Sequence, residues 1–167
     1  MGKKIYFIEK SISFNSHDLN SVKIGGSEKT LINISNALAK SQNFTVKVFN
    51  KTKEKIIINN VEWNNLTNIN INDEPDYLIS MSDANLLSLM DCKNKFLWSH
   101  SVQSFEKFIR KKQFIPVLKH KPLVFVESKY HYNNRSFFTS PFGKEIIHIA
   151  VDYDFINTKI DENYLPY

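Results

Sequence analysis

Short apolar runs rich in β-formers recur along the chain, and they alternate with stretches whose apolar residues repeat at helical spacing. KKIYFIE (3–9) is nearly continuous in apolar character and predicts a strand covered on both faces. The polar stretch 10–26 is too long for a tight turn, and loops of that length are usually functional or mobile. Leu31, Ile34 and Leu38 then recur at helical spacing with Ala37 beside them. Ser27 is placed to cap this helix, and Glu28 suits the positive end of its dipole. FTVKVFN (44–50) predicts a second strand. KEKIIINNVEWNNL predicts a strand, a turn at Asn59-Asn60 and another short strand.

After an asparagine-rich loop, four more strands are expected at 76–80, 95–101, 122–128 and 144–152. Between them lie a short helix capped by Ser82 or Asp83, an amphipathic helix in VQSFEKFIRKKQF and a helix opening at Lys129. In the amphipathic helix Phe105, Phe108 and Ile109 are expected to face inward. Alternating strands and helices with both-face burial predict an α/β fold: a Rossmann-like parallel sheet flanked by helices on both faces. Neither a repeat nor a Pro- or Gly-rich linker interrupts the pattern. We therefore expect one domain over residues 1–155, with 156–167 a tail or the start of a hinge.

Composition changes this picture little. The 167 residues suffice for one real core. The net charge of +5 would suit an anionic ligand or surface, but the abundance of Lys, Asn, Ile and Phe accounts for it as a bias of composition. The aromatic residues sit at core spacing and no recognition motif for nucleic acid is present, so no nucleic-acid partner is expected. The single cysteine, Cys92, permits no internal disulfide and fits a reducing compartment. No stretch approaches the ~18 apolar residues of a membrane span, and the N-terminus lacks the features of a signal peptide. The chain is read as cytoplasmic. The basic run at 110–113 on the amphipathic helix leaves peripheral contact at the inner face of the membrane open. His17, His120, His131 and His148 show no metal-ligand spacing, and no metal is expected.

In open α/β sheets ligands bind at the carboxyl ends of strands, near the point where strand order reverses. The residues at such places are Gly25-Gly26, 80–83, Ser99-His100-Ser101, Glu127-Ser128 and 150–152. The glycine pair does not fit a dinucleotide fingerprint. It comes about fifteen residues after the first strand, the third glycine is absent, and the second strand ends in Asn50 rather than an acid. No phosphate-loop pattern is present either. What remains is a Gly-Gly turn feeding a helix N-terminus, whose free N–H groups favour an anion and whose bare backbone allows close approach. The alternative is that the pair merely makes a sharp turn.

IGGSEKTLINISNALAK (24–40) resembles the Gly-Gly-(Ala/Ser)-Glu-(Arg/Lys) opening of the family 4 glycosyltransferases of the GT-B fold. DYLISMSD, FLWSHS, LVFVESKYHYNN and IIHIAVDYDFI follow in that family's order, so the resemblance spans nearly the whole chain. One departure is clear: His148-Ile149-Ala150 replaces the usual segment before Val-Asp, with Ala150 in a glycine's place.

The resemblance implies the N-terminal, acceptor-side half of a retaining glycosyltransferase. Such an enzyme moves a sugar from a nucleotide-sugar co-substrate to a glycan or lipid-linked acceptor. No cofactor would be bound by this domain alone, and the donor-binding C-terminal domain would lie beyond these residues. By the same resemblance His100 is the catalytic candidate, near the transferred sugar. Gly25, Gly26, Ser27, Glu28, Ser128 and Asp152 are the substrate- or donor-binding candidates. Lys23 and Lys29 would steer an anionic donor, or else are ordinary surface charge. The alternative function is a non-catalytic glycan- or partner-binding domain, which an exposed apolar face near the C-terminal tail would favour.

Overall fold

Residues 5–8 of the first strand are buried alternately toward opposite faces. Ile5 and Phe7 join one core cluster, Tyr6 and Ile8 another. That is the signature of a central strand in a sheet covered on both sides. The computed structural model describes residues 2–148. Its seven strands are β1 (Lys3–Ile8), β2 (Phe44–Ile58), β3 (Val61–Asn65), β4 (Tyr77–Met81), β5 (Asn94–Ser99), β6 (Leu123–Val126) and β7 (Lys144–Ile146). They form one sheet in the order β3-β2-β1-β4-β5-β6-β7, with neighbours parallel. The order reverses between β1 and β4, which makes that boundary the topological switch point of a Rossmann-like sheet.

Helices cover both faces. The long α1 (Gly26–Lys40) lays Leu31 and Ile32 against Ile5, Phe7, Val46 and Val48. On the other face, α2 (Phe105–Arg110), α3 (Phe114–His120) and the 3-10 turn Ala84–Ser88 bury Phe108, Val117 and Leu87 against Leu97, Val124 and Val126. The short α4 (Lys129–Asn134) follows β6. Among the described residues no helix is long and apolar enough to cross a membrane.

Several local expectations change. The two strands expected over 44–58 are one bent strand. Its first half pairs in parallel with β3, from Val46↔Val61 to Asn50↔Asn65. Its end pairs back in the opposite sense, from Ile56↔Trp63 to Ile58↔Val61, so β3 lies between the two halves. The turn expected at Asn59-Asn60 is present, with φ of 54° and 63°; asparagine tolerates this left-handed region well. The helix expected after Ser82 is a 3-10 turn, capped by Asp83 through the Asn85 amide at 3.0 Å.

The amphipathic helix expected through residue 114 ends at Arg110, because Lys112 turns left-handed (φ 54°) and α3 begins anew. Pro116 lies in the first turn of α3, where its missing N–H has no helical partner to lose. Of the three residues expected to face inward, only Phe108 is buried. Phe105 and Ile109 are exposed, because six residues make too short a helix to turn a wide face to the core. The strand expected over 144–152 is observed as Lys144–Ile146. Its remainder from residue 149, Asp152 included, lies outside the described residues.

Among the described residues one face is incompletely covered. Between α1 and strands β4 to β7 lies an apolar groove of ≈770 Å³, lined among others by Leu38, Phe96, Trp98, Phe125 and Ile147. Its floor carries a row of rings, Tyr77 to Phe96 at 6.3 Å and Phe96 stacked on Phe125 at 4.8 Å.

Candidate functional site

Three strand ends meet at the switch point. Glu9 follows β1, Ser82 follows β4 and His100 follows β5. The N-terminus of α1 reaches the same place. Together Glu9, Ser11, Ser27, Glu28, Ser82 and His100, with Met81 beneath, line a small chamber of ≈180 Å³. A wider opening of ≈760 Å³ adjoins it, sharing Glu9, Ser11 and Ser82 and bordered by Lys10, Lys51 and Lys111.

His100 is held rigidly. Its ring stacks on Trp98 at 5.3 Å, and Nδ1 pairs with the Glu127 carboxylate. That pairing fixes which ring nitrogen carries the inner proton. The outer nitrogen, Nε2, is buried and has no hydrogen-bond partner among the described residues. The turn carrying His100 is clamped in its own right. Ser99 Oγ donates to Ser101 O at 2.9 Å, and Arg135 donates to Ser99 Oγ at 2.6 Å and to Thr139 O at 2.8 Å. Arg135 is 2% exposed. Burial alone pulls its guanidinium down to about 10. His131 is buried beside it, and burial, aided by the Arg135 charge, holds its imidazole below the usual histidine value.

Glu9 is also held in place. Its Oε1 accepts from the Ser11 amide at 2.7 Å, while Oε2 is buried without a partner among the described residues. Ser82 adopts φ 57°, a left-handed conformation that is costly for serine and is held by its amide's bond to Trp98 O at 2.8 Å. Beside it, Asp83 forms an ion pair with Lys10. Burial would raise the Asp83 carboxyl, but the bonds from Lys10 and Asn85 outweigh it and hold the group below the usual carboxylate range.

The glycine pair is not required by the turn. Gly25 caps α1 in an extended conformation, φ −82° and ψ 179°, that any residue adopts. A Cβ placed on Gly26 would meet nothing within 4 Å; one on Gly25 would lie 2.7 Å from Glu28 Oε2, the far end of a flexible side chain. Both glycines are exposed. Ser27, expected as the cap, is the second residue of the helix, and its hydroxyl donates to Glu28 Oε2 at 2.9 Å. The cap lies two residues earlier because α1 already begins at Gly26.

Ser27, Glu28 and His100 are thus brought together in one chamber, at the mouth of the helix that Gly25 and Gly26 open. Ser128 is not among its lining: it is exposed and caps α4 through the His131 amide at 3.1 Å. Asp152 lies outside the described residues. Glu9 was absent from the expected set, although it is the first residue past β1 and so stands where the strand-end rule points. Arg135 and His131 left no signal in NNRSFF or KYHY, because their roles come from burial. No protein-family model, curated protein or solved structure matches the chain.

Proposed function

We propose that the protein is the acceptor-side half of a retaining, nucleotide-sugar-dependent glycosyltransferase of GT-B type. A second, donor-holding domain would face the carboxyl edge of the sheet. One observation carries the reading. Ser27 and Glu28, in the first turn of the helix that Gly25 and Gly26 open, share one chamber at the switch point with Glu9 and His100, whose Oε2 and Nε2 atoms are buried without a partner among the described residues. Buried polar atoms are normally satisfied, and those left unpaired at a cleft call for a ligand's groups.

In this reading catalysis rests on positioning and on stabilising the charge of the leaving diphosphate. His100 meets a sugar hydroxyl through Nε2 while Glu127 orients the ring from behind. The test is amide-shift NMR on the whole chain with millimolar nucleotide sugars and methyl glycosides. Shifts at Gly25, Gly26, Ser27 and His100, lost in His100→Ala, are expected. A panel that moves none of these amides sinks the reading.

The same reading sets the protein in the cytoplasm, at the inner face of a membrane when its acceptor is lipid-linked. Support comes from an exposed aromatic patch that joins Phe105, on the helix that carries Lys107 and Arg110, to Phe138 at 5.2 Å and Phe137 beside it on the 3-10 turn Phe137–Thr139. Vesicles rich in anionic lipid should then retain the protein, and the Phe137→Ser/Phe138→Ser double variant should not be retained.

A second reading, a non-catalytic glycan- or partner-binding domain, is favoured by the apolar groove beside α1, which is open among the described residues and reaches Ile147. The two part on turnover by the native gene product. Release of nucleoside diphosphate from a nucleotide sugar supports the first; glycan binding without release supports the second.

A further inference from the structure

The two faces of the sheet are not covered alike. On one, the 3-10 turn Ala84–Ser88, α2 and α3 pack over Leu97, Val124 and Val126. On the other, among the described residues, the cover is chiefly α1, which lies over β1 and β2. One helix covers about two strands, because packed helices lie ~8–10 Å apart and strands ~4.8 Å. Beyond α1 the rings of Tyr77, Phe96 and Phe125 therefore stay half-buried on the floor of the ≈770 Å³ groove. Ile34 and Leu38 of α1 form one wall, and Ile147 stands across from them. Parallel sheets are normally covered on both faces, so this is the place of one more helix.

The chain itself carries a fitting segment just after Ile147. Residues 149–167 lie outside the described residues, but their sequence has the marks of an amphipathic helix. Tyr153, Ile156, Ile160 and Tyr164 recur at i, i+3, i+7 and i+11, one narrow stripe, with Phe155 on the opposite side. Asp152 is a cap-forming residue just before the stripe, Asp154 an acid for the first turn, and Pro166 a stop. Lengths agree. β5 lies two strand spacings, about 10 Å, from β7, and residues 148–152 reach about 16 Å when extended. The twelve residues 153–164 span about 18 Å as a helix, close to the ~20 Å of a six-residue strand such as β5. Charge agrees too. The segment holds Asp152, Asp154, Asp161 and Glu162 against one lysine, Lys159, in a chain whose total is +5. Asp161 and Glu162 fall in the last turn, where acids oppose the helix dipole unless a cation meets them, and Lys3 lines the amino-edge end of the groove.

We propose that residues 153–164 form a helix that seats in this groove beside α1, laying Tyr153, Ile156, Ile160 and Tyr164 on the rings of Tyr77, Phe96 and Phe125. The occupant is a segment of the same chain, not a second copy or a separate partner. The proposal does not rest on the glycosyl-transfer reading. It takes from the partner-binding reading the open surface that favours it.

The experiment follows the whole chain by NMR with labelled isoleucine methyls and phenylalanine rings. Cross-relaxation from the Ile156 and Ile160 methyls to the Phe96 and Phe125 rings is expected, with slowed amide exchange from Ile156 to Tyr164. In a mixture of chains labelled only on isoleucine with chains labelled only on phenylalanine, that cross-relaxation should vanish. The Ile156→Asp/Ile160→Asp double variant should melt about 5 °C lower or more and bind anilinonaphthalene sulfonate; Phe155→Ser, off the stripe, should do neither. Wild-type protein without these contacts overturns the proposal, and this arm needs no variant to fold. Contacts that persist between differently labelled chains overturn it in favour of a second copy. Phe155→Ser melting as low as the double variant overturns it as well, because the stripe would then not be the buried face.

Discussion

Replacing Gly26 by alanine separates what the fold needs from what a ligand needs. Gly26 is the first residue of α1, is exposed, and has a backbone that is not left-handed. A new Cβ meets nothing within 4 Å. Alanine therefore fits without strain and removes freedom from the unfolded chain, a gain of about 0.4–1 kcal/mol. For a chain of this size each kcal/mol moves the midpoint by roughly 2–4 °C, so thermal unfolding should shift upward by about 1–4 °C. Gly25→Ala should do the opposite. Its Cβ would press on Glu28 Oε2, and alanine is a poor cap, so a loss of about 0.5–1 kcal/mol is expected. If a sugar ring packs on the bare backbone, Gly26→Ala should nevertheless cost about ten-fold in affinity for the methyl glycoside, of the order of 1.4 kcal/mol. The assays are calorimetric melting and the glycoside titration on the same samples. A destabilised Gly26→Ala would show that the space is not open. A stabilised variant with unaltered binding would show that ligand approach is not why glycine stands there.

Stability should fall on acidification from pH 6.5 toward pH 5. Burial, with Lys95 beside His120 and Arg135 beside His131, holds both imidazoles below their free value. The unfolded chain then binds more protons than the folded one in that window, so stability rises with pH across it. The slope for the buried His131 is bounded at ~1.4 kcal/mol per pH unit, and urea midpoints at pH 7 and pH 5, with His131→Gln flattening the difference, check it. Phe108→Ala should cost about 3–5 kcal/mol and Phe105→Ala under about 1, because only Phe108 is fully buried; denaturant melts of the two decide it. Ser128→Ala should lose about 0.5–2 kcal/mol of stability with the cap of α4, while glycoside affinity holds, because Ser128 lies outside the chamber lining.

Period and composition located the seven strands of the described residues: β1, β4, β5 and β6 because a buried strand leaves an apolar run that little else produces, and β3 because the Asn59-Asn60 turn announces the strand after it. What they missed were breaks made by backbone conformation. Lys112 enters the left-handed region without being glycine or asparagine, so nothing in FIRKKQF marks the end of α2. The bend that merges 44–58 into one strand is set by pairing to both sides of β3, a long-range fact. Phe105 and Ile109 share helical spacing with Phe108, yet a six-residue helix buries only one of them, so spacing overstated the core.

For the site, the strand-end rule was necessary and incomplete. It marks a place after every strand, but strand order decides which places are neighbours. β1, β4 and β5 are adjacent, so residues 9, 82 and 100 meet although the chain separates them widely. Ser128 follows β6, three strand spacings or about 14 Å from β1, and the same rule that named it could not reveal that distance. Glu9 was overlooked for the converse reason. At the level of sequence it ends an apolar run, and a charge there looks like the edge of a strand. Only the reversal of order between β1 and β4 turns that edge into the wall of a chamber, where a carboxylate oxygen without a partner among the described residues acquires chemical meaning.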